Sequence, residues 1–205
     1  EEFRKINYKQ EDLDNLRTSL NIELEDFVML FLGRLSREKS ITELIKEFAK
    51  LRKQISSLKL LLVGGGPDKE YFEKVASDQG VADSVIFTGM VPQKDVGKYY
   101  HVSDLFVNFS VSETQGLTYI EALASGVPLL VKYDENLVGV VKHHQNGLTF
   151  VKDKEFGELF LQLYKNKVLF NKITNNATKA IEEFSADQYG KNVLDVYNYV
   201  LKKKA

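Results

Sequence analysis

The 205 residues are 43% hydrophobic and carry a formal net charge of −1, enough apolar material for one good core in a single domain. That balance, with no basic stripe interleaved with aromatics, gives no reason to expect nucleic acid. Cysteine is absent, which excludes a disulfide framework and a thiolate metal site and fits a cytoplasmic protein, and neither a signal peptide nor an apolar run near the ~20 residues of a membrane span is present.

The chain begins Glu1-Glu2-Phe3 without an initiator methionine and reads as a fragment of something longer. Residues 1–26 are charged, with a short helix expected over 11–20. Phe27-Val28-Met29-Leu30-Phe31-Leu32 is a continuous apolar run of strand length, the pattern of a strand buried on both faces of a parallel sheet. Ile41, Leu44, Ile45, Phe48 and Leu51 then recur at helical spacing. Strands follow at 58–63, 85–87, 105–109 and 129–131, with a brief one at 148–151. Helices are expected at 69–79, at 93–100 and from about Gly116, with a further segment around 137–142. Beyond Lys152 the pattern is wholly helical, and the last helix carries Val193, Val196, Tyr197 and Val200 on one side. Strands alternating with helices imply an α/β fold: a Rossmann-like parallel sheet covered on both faces, with ligands at the carboxyl ends of the strands.

Several stretches at that edge can carry chemistry. Gly33-Arg34-Leu35-Ser36-Arg37-Glu38-Lys39 follows the first strand. Arg34 offers a fixed fork of donors and Lys39 a mobile point charge, a pairing suited to a diphosphate; a solvated charge run opening a helix is the bland alternative. Gly64-Gly65-Gly66-Pro67 lacks the G-x-G-x-x-G pattern and no acid ends the following strand, so a tight turn whose glycines allow positive φ explains it. Thr88-Gly89-Met90-Val91-Pro92 reads as a strand-to-helix connection with proline near the helix start. His101, His143 and His144 lack partner carboxylates at metal-ligand spacing, and His143-His144 belongs in an exposed turn before Asn146-Gly147. The terminal lysines Lys202-Lys203-Lys204 complement a helix dipole.

The most informative stretch runs from Ser110 to Pro128, SVSETQGLTYIEALASGVP. A polar turn follows an apolar strand, a helix opens near Gly116, and Gly126-Val127-Pro128 closes it. Free N–H groups at such a helix start favour an anion. Glu113 in the turn and Glu121 in the helix flank that place, and carboxylates beside an anion site suit the vicinal hydroxyls of sugars. Phosphate in the turn with hydroxyl-rich groups on either side outlines a nucleotide sugar. An ordinary strand–turn–helix with one exposed and one capped glutamate is the competing reading.

In these residues the chain resembles the E-x7-E signature of retaining glycosyltransferases of the GT-B fold, family 4, usually worded close to S-x-x-E-G-F-G-x-x-x-x-E-A-x-A-x-G-x-P. Thr114-Gln115 stand where that family has Gly-Phe, which puts the shape of its sugar pocket in doubt here. The wording S-E-T-Q-G-L-T-Y-I-E looks most like the bacterial diacylglycerol glycosyltransferases. Gly33-Arg34-Leu35 with Lys39 matches the family's diphosphate loop, and the glycine turn and the Val91 segment match its donor cleft. The resemblance implies a C-terminal donor-binding domain over 27–184, led into by 1–26 from a missing N-terminal domain. Residues 185–205 would pack back toward that domain. By the same resemblance Arg34 and Lys39 hold the diphosphate, Glu113 the transferred hexose and Glu121 the ribose. The N–H groups of Gln115, Gly116 and Leu117 meet phosphate and sugar, Gly65 and Gly66 line the cleft, and backbone atoms around Val91 read the base. The donor would be UDP-glucose or UDP-galactose, and the acceptor a diacylglycerol-type lipid. The fragment alone would be inactive. The whole enzyme would be cytoplasmic, peripheral on the inner face of the plasma membrane, with neither cofactor nor metal. A GT-B sugar-nucleotide epimerase and a non-catalytic nucleotide-sugar-binding module are the rival readings.

Overall fold

A computed structural model of the chain describes Phe3 and residues 8–111, 116–184 and 186–203. The strands are β1 (Phe27–Leu32), β2 (Leu58–Val63), β3 (Val85–Gly89), β4 (Leu105–Asn108), β5 (Leu129–Lys132) and β6 (Gly147–Phe150). They form one six-stranded sheet in the order β3-β2-β1-β4-β5-β6, parallel throughout. The helices are α1 (Gln10–Ser19), α2 (Ile41–Arg52), α3 (Lys69–Asp78), α4 (Val96–His101), α5 (Leu117–Ala124), α6 (Glu155–Lys165), α7 (Lys167–Ala180) and α8 (Ala186–Lys203). The expected α/β alternation is therefore the fold.

Side chains alternate across each strand, and that period divides the core into two clusters. Met29 and Phe31 of β1, with Leu58, Leu60 and Leu62 of β2, face the cluster that holds Phe48 of α2, Phe72 of α3 and Phe156 and Phe160 of α6. Val28, Leu30, Leu61 and Val63 face the opposite way, onto Leu13 of α1, Tyr100 of α4, and Tyr119 and Leu123 of α5. A central strand apolar on both sides is thus required by helices on both sides. Each fully buried Leu or Phe contributes roughly 1.5–3 kcal/mol of transfer free energy.

Two local differences from expectation have physical causes. The helix expected over 93–100 starts as a 3-10 turn, Gln93–Asp95, before α4. Pro92 sits at φ −58° with no N–H to donate, and its carbonyl accepts from Asp95 N at 2.9 Å, which tightens the first turn. The segment around 137–142 is a 3-10 turn, Glu135–Leu137, capped by Asp134, whose side chain accepts from Asn136 N. Within α8, Val196, Tyr197 and Val200 are exposed and Val193 is half-buried. Among the described residues no helix is long and apolar enough to cross a membrane.

Strand order reverses at β1, whose neighbours are β2 on one side and β4 on the other. Asp104 fixes this junction: its N–H donates to Val28 O at 2.9 Å, and its carboxylate accepts from Val28 N at 2.8 Å. Burial raises the Asp104 carboxyl above its ordinary value, against the bond from Val28 and the charge of Arg17. In open α/β sheets the crevice at the carboxyl ends of the strands, where the order reverses, is where ligands bind.

Candidate functional site

Two loops cross at that edge. Gly33-Arg34-Leu35 leaves β1 and Gly64-Gly65-Gly66 leaves β2. Gly33 N donates to Val63 O, and Leu35 N to Gly65 O, each at 2.9 Å, so the strand ladder continues into the loops. Gly64 sits at φ +136°, and a Cβ there would overlap the Gly33 carbonyl oxygen. A Cβ on Gly66 would overlap the Leu35 carbonyl oxygen. Only Gly64 of the three has positive φ. Gly65 and Gly66 are therefore not there for a turn angle, as the sequence suggested; Gly66 serves the close approach of two backbones. Past the crossing, the Asp68 carboxylate accepts from Arg37 N at 3.0 Å and from Arg37 Nε at 3.3 Å, while Asp68 N donates to Leu35 O. Arg37 also lies over the ring of Tyr71, 4.3 Å from its centroid. The arginine without a role in the sequence thus ties the loop of Arg34 to the loop of the glycines.

Beside the crossing opens a cavity of about 510 Å³ lined by Gly33, Arg34, Gly64, Gly65, Gly66, Met90, Val91, Gln93 and Val96, among others. Four of the site residues read from the sequence, Arg34, Gly65, Gly66 and Val91, meet here. Lys39, Gly116, Leu117 and Glu121 are not among the lining residues. Lys39 ends the 3-10 turn Arg37–Lys39 and is half-buried. Met90 and Gln93 were not singled out from the sequence, although both lie within three residues of Val91.

Across the junction, β4 ends at Asn108, whose side chain accepts from Ser110 N at 2.7 Å and turns the chain out of the sheet. Glu113 and Gln115 lie outside the described residues. The chain is described again at Gly116, which caps α5 at φ +60°. The helix opens one residue later, as expected, with the Gly116 carbonyl accepting from Tyr119 N and Ile120 N. Glu121, in the second turn of α5, is half-buried and takes a hydrogen bond at 2.9 Å from the hydroxyl of Tyr100. Burial and the Glu121 carboxylate push the Tyr100 phenol well above its ordinary value, which keeps it a donor. Tyr100 is a buried partner of Glu121 that sequence reasoning missed. Beside this bank a smaller cavity of about 240 Å³ is lined by Lys132, Tyr133, Asp134, Leu137 and His143, among others. His143 and His144 are exposed, as read from the sequence.

A guanidinium at the rim of a glycine-lined cleft, with a carboxylate across the junction, can hold an anion and a polyhydroxylated group side by side. Comparison with known proteins places the chain in a family. The glycosyl transferases group 1 family matches residues 12–180. The chain belongs to it. It is 30% identical over 201 residues, 98% of its length, to the alpha-monoglucosyldiacylglycerol synthase of Acholeplasma laidlawii, and covers 50% of that protein. It is 33% identical over 195 residues to the Streptococcus pneumoniae protein of the same name, covering 95% of this chain and 44% of the relative. The chain thus spans about half the length of the curated relatives it matches. Among solved structures, the Anabaena protein HepE, in complex with UDP and glucose, superposes with a TM-score of 0.83 at 20% identity, over 96% of this chain and 54% of that one. The sheet and its helices accordingly share the fold seen in GT-B glycosyltransferase structures.

Proposed function

We propose that this group 1 domain is the nucleotide-sugar-binding half of a retaining glycosyltransferase. The reaction moves a hexose from UDP-glucose or UDP-galactose to a diacylglycerol-type membrane lipid. The observation that carries the reading is the juxtaposition of Arg34, Gly65, Gly66 and Val91 around one cavity at the sheet's carboxyl edge, beside the junction that bears Glu121. Arg34 and Lys39 hold the diphosphate and neutralise it as it departs, an electrostatic role that strengthens in the transition state and needs no resident metal. The N–H groups of Gln115, Gly116 and Leu117 meet phosphate and sugar, Glu113 accepts from the hexose, and Glu121 from the ribose. Backbone atoms around Val91 read the base. The names of both relatives support a glucosyl group and a diacylglycerol acceptor, and their alpha prefix is what retention from an α-linked donor would give. HepE supports UDP.

The other half of the enzyme would contribute the acceptor site, with residues 185–205 packed toward it, and the whole protein would work at the cytoplasmic face of the plasma membrane. Titration of this chain with UDP, UDP-glucose, UDP-galactose and GDP-mannose tests the donor. Uridine nucleotides are expected to bind and GDP-mannose to bind at least tenfold more weakly, about 1.4 kcal/mol. A preference for GDP-mannose, or no nucleotide binding, refutes it. Turnover by the full-length enzyme on soluble sugars, with none on diacylglycerol in mixed micelles, refutes the lipid acceptor.

A further inference from the structure

Tyr100 is fully buried beneath α5, in the cluster that covers one face of the sheet. Its ring packs against Phe106, with centroids 6.3 Å apart, and edge-on against Phe3 at 5.9 Å. Packing of that kind asks only for an aromatic ring, which phenylalanine would supply. The hydroxyl is a separate matter, because a buried O–H without a partner is costly. It has two acceptors in reach: Glu121 Oε2 at 2.9 Å and the Thr118 carbonyl at 3.2 Å. One proton serves both, and the closer, charged oxygen takes the larger share.

A glutamate side chain on a helix has several rotamers, and a donor fixed on a neighbouring helix selects among them. The donor here cannot move, since its ring is locked in the core and α4 is anchored beside α1. We propose that Tyr100 is a positioning residue for ribose recognition: its hydroxyl holds the Glu121 carboxylate in one rotamer, so that the vicinal hydroxyls of a nucleoside diphosphate meet a preset acceptor. The inference rests on the reading that Glu121 receives the ribose. It adds a residue 21 positions away, on another helix, that never touches the ligand. The competing role is a plain structural bond between α4 and α5.

Calorimetric titration of the chain with UDP and with 2′,3′-dideoxy-UDP separates the two, using wild type, Tyr100→Phe, Glu121→Ala and the double variant. Tyr100→Phe is expected to weaken UDP about 5- to 10-fold, within the range for a hydrogen bond to a charged group partly compensated by water. The same substitution should change dideoxy-UDP affinity by less than about twofold, and should add less than about twofold to Glu121→Ala, because the two act as one unit. Equal losses for both nucleotides, full additivity, or no loss for UDP overturns the proposal. So does a Tyr100→Phe chain that no longer melts cooperatively, since the hydroxyl would then be holding the fold. If wild type binds UDP and dideoxy-UDP alike, the ribose role of Glu121 itself has failed. If wild type prefers UDP and Tyr100→Phe keeps that preference, only the Tyr100 inference has.

Discussion

The two banks of the cleft are built differently. On the bank formed by β1 and β2, backbone meets backbone: Leu35 N on Gly65 O, Gly33 N on Val63 O, and Gly64 and Gly66 where any Cβ would strike a carbonyl. On the bank formed by β4 and α5, side chain meets side chain, with the Tyr100 hydroxyl on the Glu121 carboxylate and the Asn108 amide oxygen on Ser110 N. The first bank is set by what is missing from its residues, the second by the functional groups they carry. Added atoms should therefore damage the first bank, whereas changed atoms should damage the second.

The largest expected effect follows from an added methyl. Gly64→Ala places a Cβ against the Gly33 backbone at φ +136°, combining overlap with strain, and should destabilise the chain by on the order of 3 kcal/mol or more. Gly65→Ala is crowded only by Met90, whose Cγ is 2.6 Å away on a residue that is 86% exposed and can swing its side chain aside, so its cost should stay within about 1 kcal/mol. Urea midpoints of the two variants measure the contrast. Comparable losses at both positions would remove the distinction between backbone and side-chain crowding.

Next in size are the carboxylates. Glu113→Gln should leave UDP affinity nearly unchanged but lower kcat/KM of the full-length enzyme with a sugar donor by about 10²-fold, the mark of a contact that strengthens in the transition state. Glu121→Gln should weaken UDP and UDP-glucose alike, because both carry the ribose. If the two variants lose UDP equally, both carboxylates serve the nucleotide and the hexose is read elsewhere. Arg34→Ala and Lys39→Ala should each weaken UDP by about 1.5–3 kcal/mol and spare uridine, which has no phosphate to lose. Equal losses for uridine would move the diphosphate away from the loop after β1.

The smallest effect concerns pH. His143 Nδ1 accepts from Thr149 N at 2.9 Å, and partial burial, helped by neighbouring His144, lowers its pKa below 6.5. The folded chain thus favours the neutral ring. Its contribution is complete above pH 6.5 and is lost as pH falls through the lowered folded value. The protection factor of the Thr149 amide should drop as pH falls below 6.5, by a modest amount because the ring is exposed. A flat profile would show that the bond survives protonation or does not protect the amide.

The apolar runs made the sheet legible. Phe27–Leu32 and Leu58–Val63 are strands to the residue: the first is apolar throughout, as a strand covered on both faces favours, and the second admits one charge, Lys59, whose ammonium lies 4.0 Å from the Asp26 carboxylate. Arg34 was legible through its place after the first strand and Val91 through the family resemblance of its segment, and the structure puts them on one cavity. Three features were not. The glycines at 65 and 66 looked like turn residues because a sequence cannot reveal which backbone passes nearby. Arg37 had no visible role, since its partner Asp68 belongs to the next loop. Tyr100 was visible only as the end of a short helix, and its bond to Glu121 exists only once the fold brings α4 and α5 together. Each of the three depends on contact between segments distant along the chain, which periodicity does not encode.

The placement of β1 also bears on how the chain reaches this structure. From β1 to β3 the strands add one after another through α2 and α3, each closing only a short loop. Strand β4 must instead return to the other side of β1, where Asp104 meets Val28 from 76 residues away. Loop closure grows costlier with length and precedes the contacts that reward it, so this pairing is the slow one. The cleft has one bank on each side of that pairing. In refolding, nucleotide affinity should therefore appear with the last phase, later than the helical signal, and Asp104 should govern its rate more than any residue that touches the ligand.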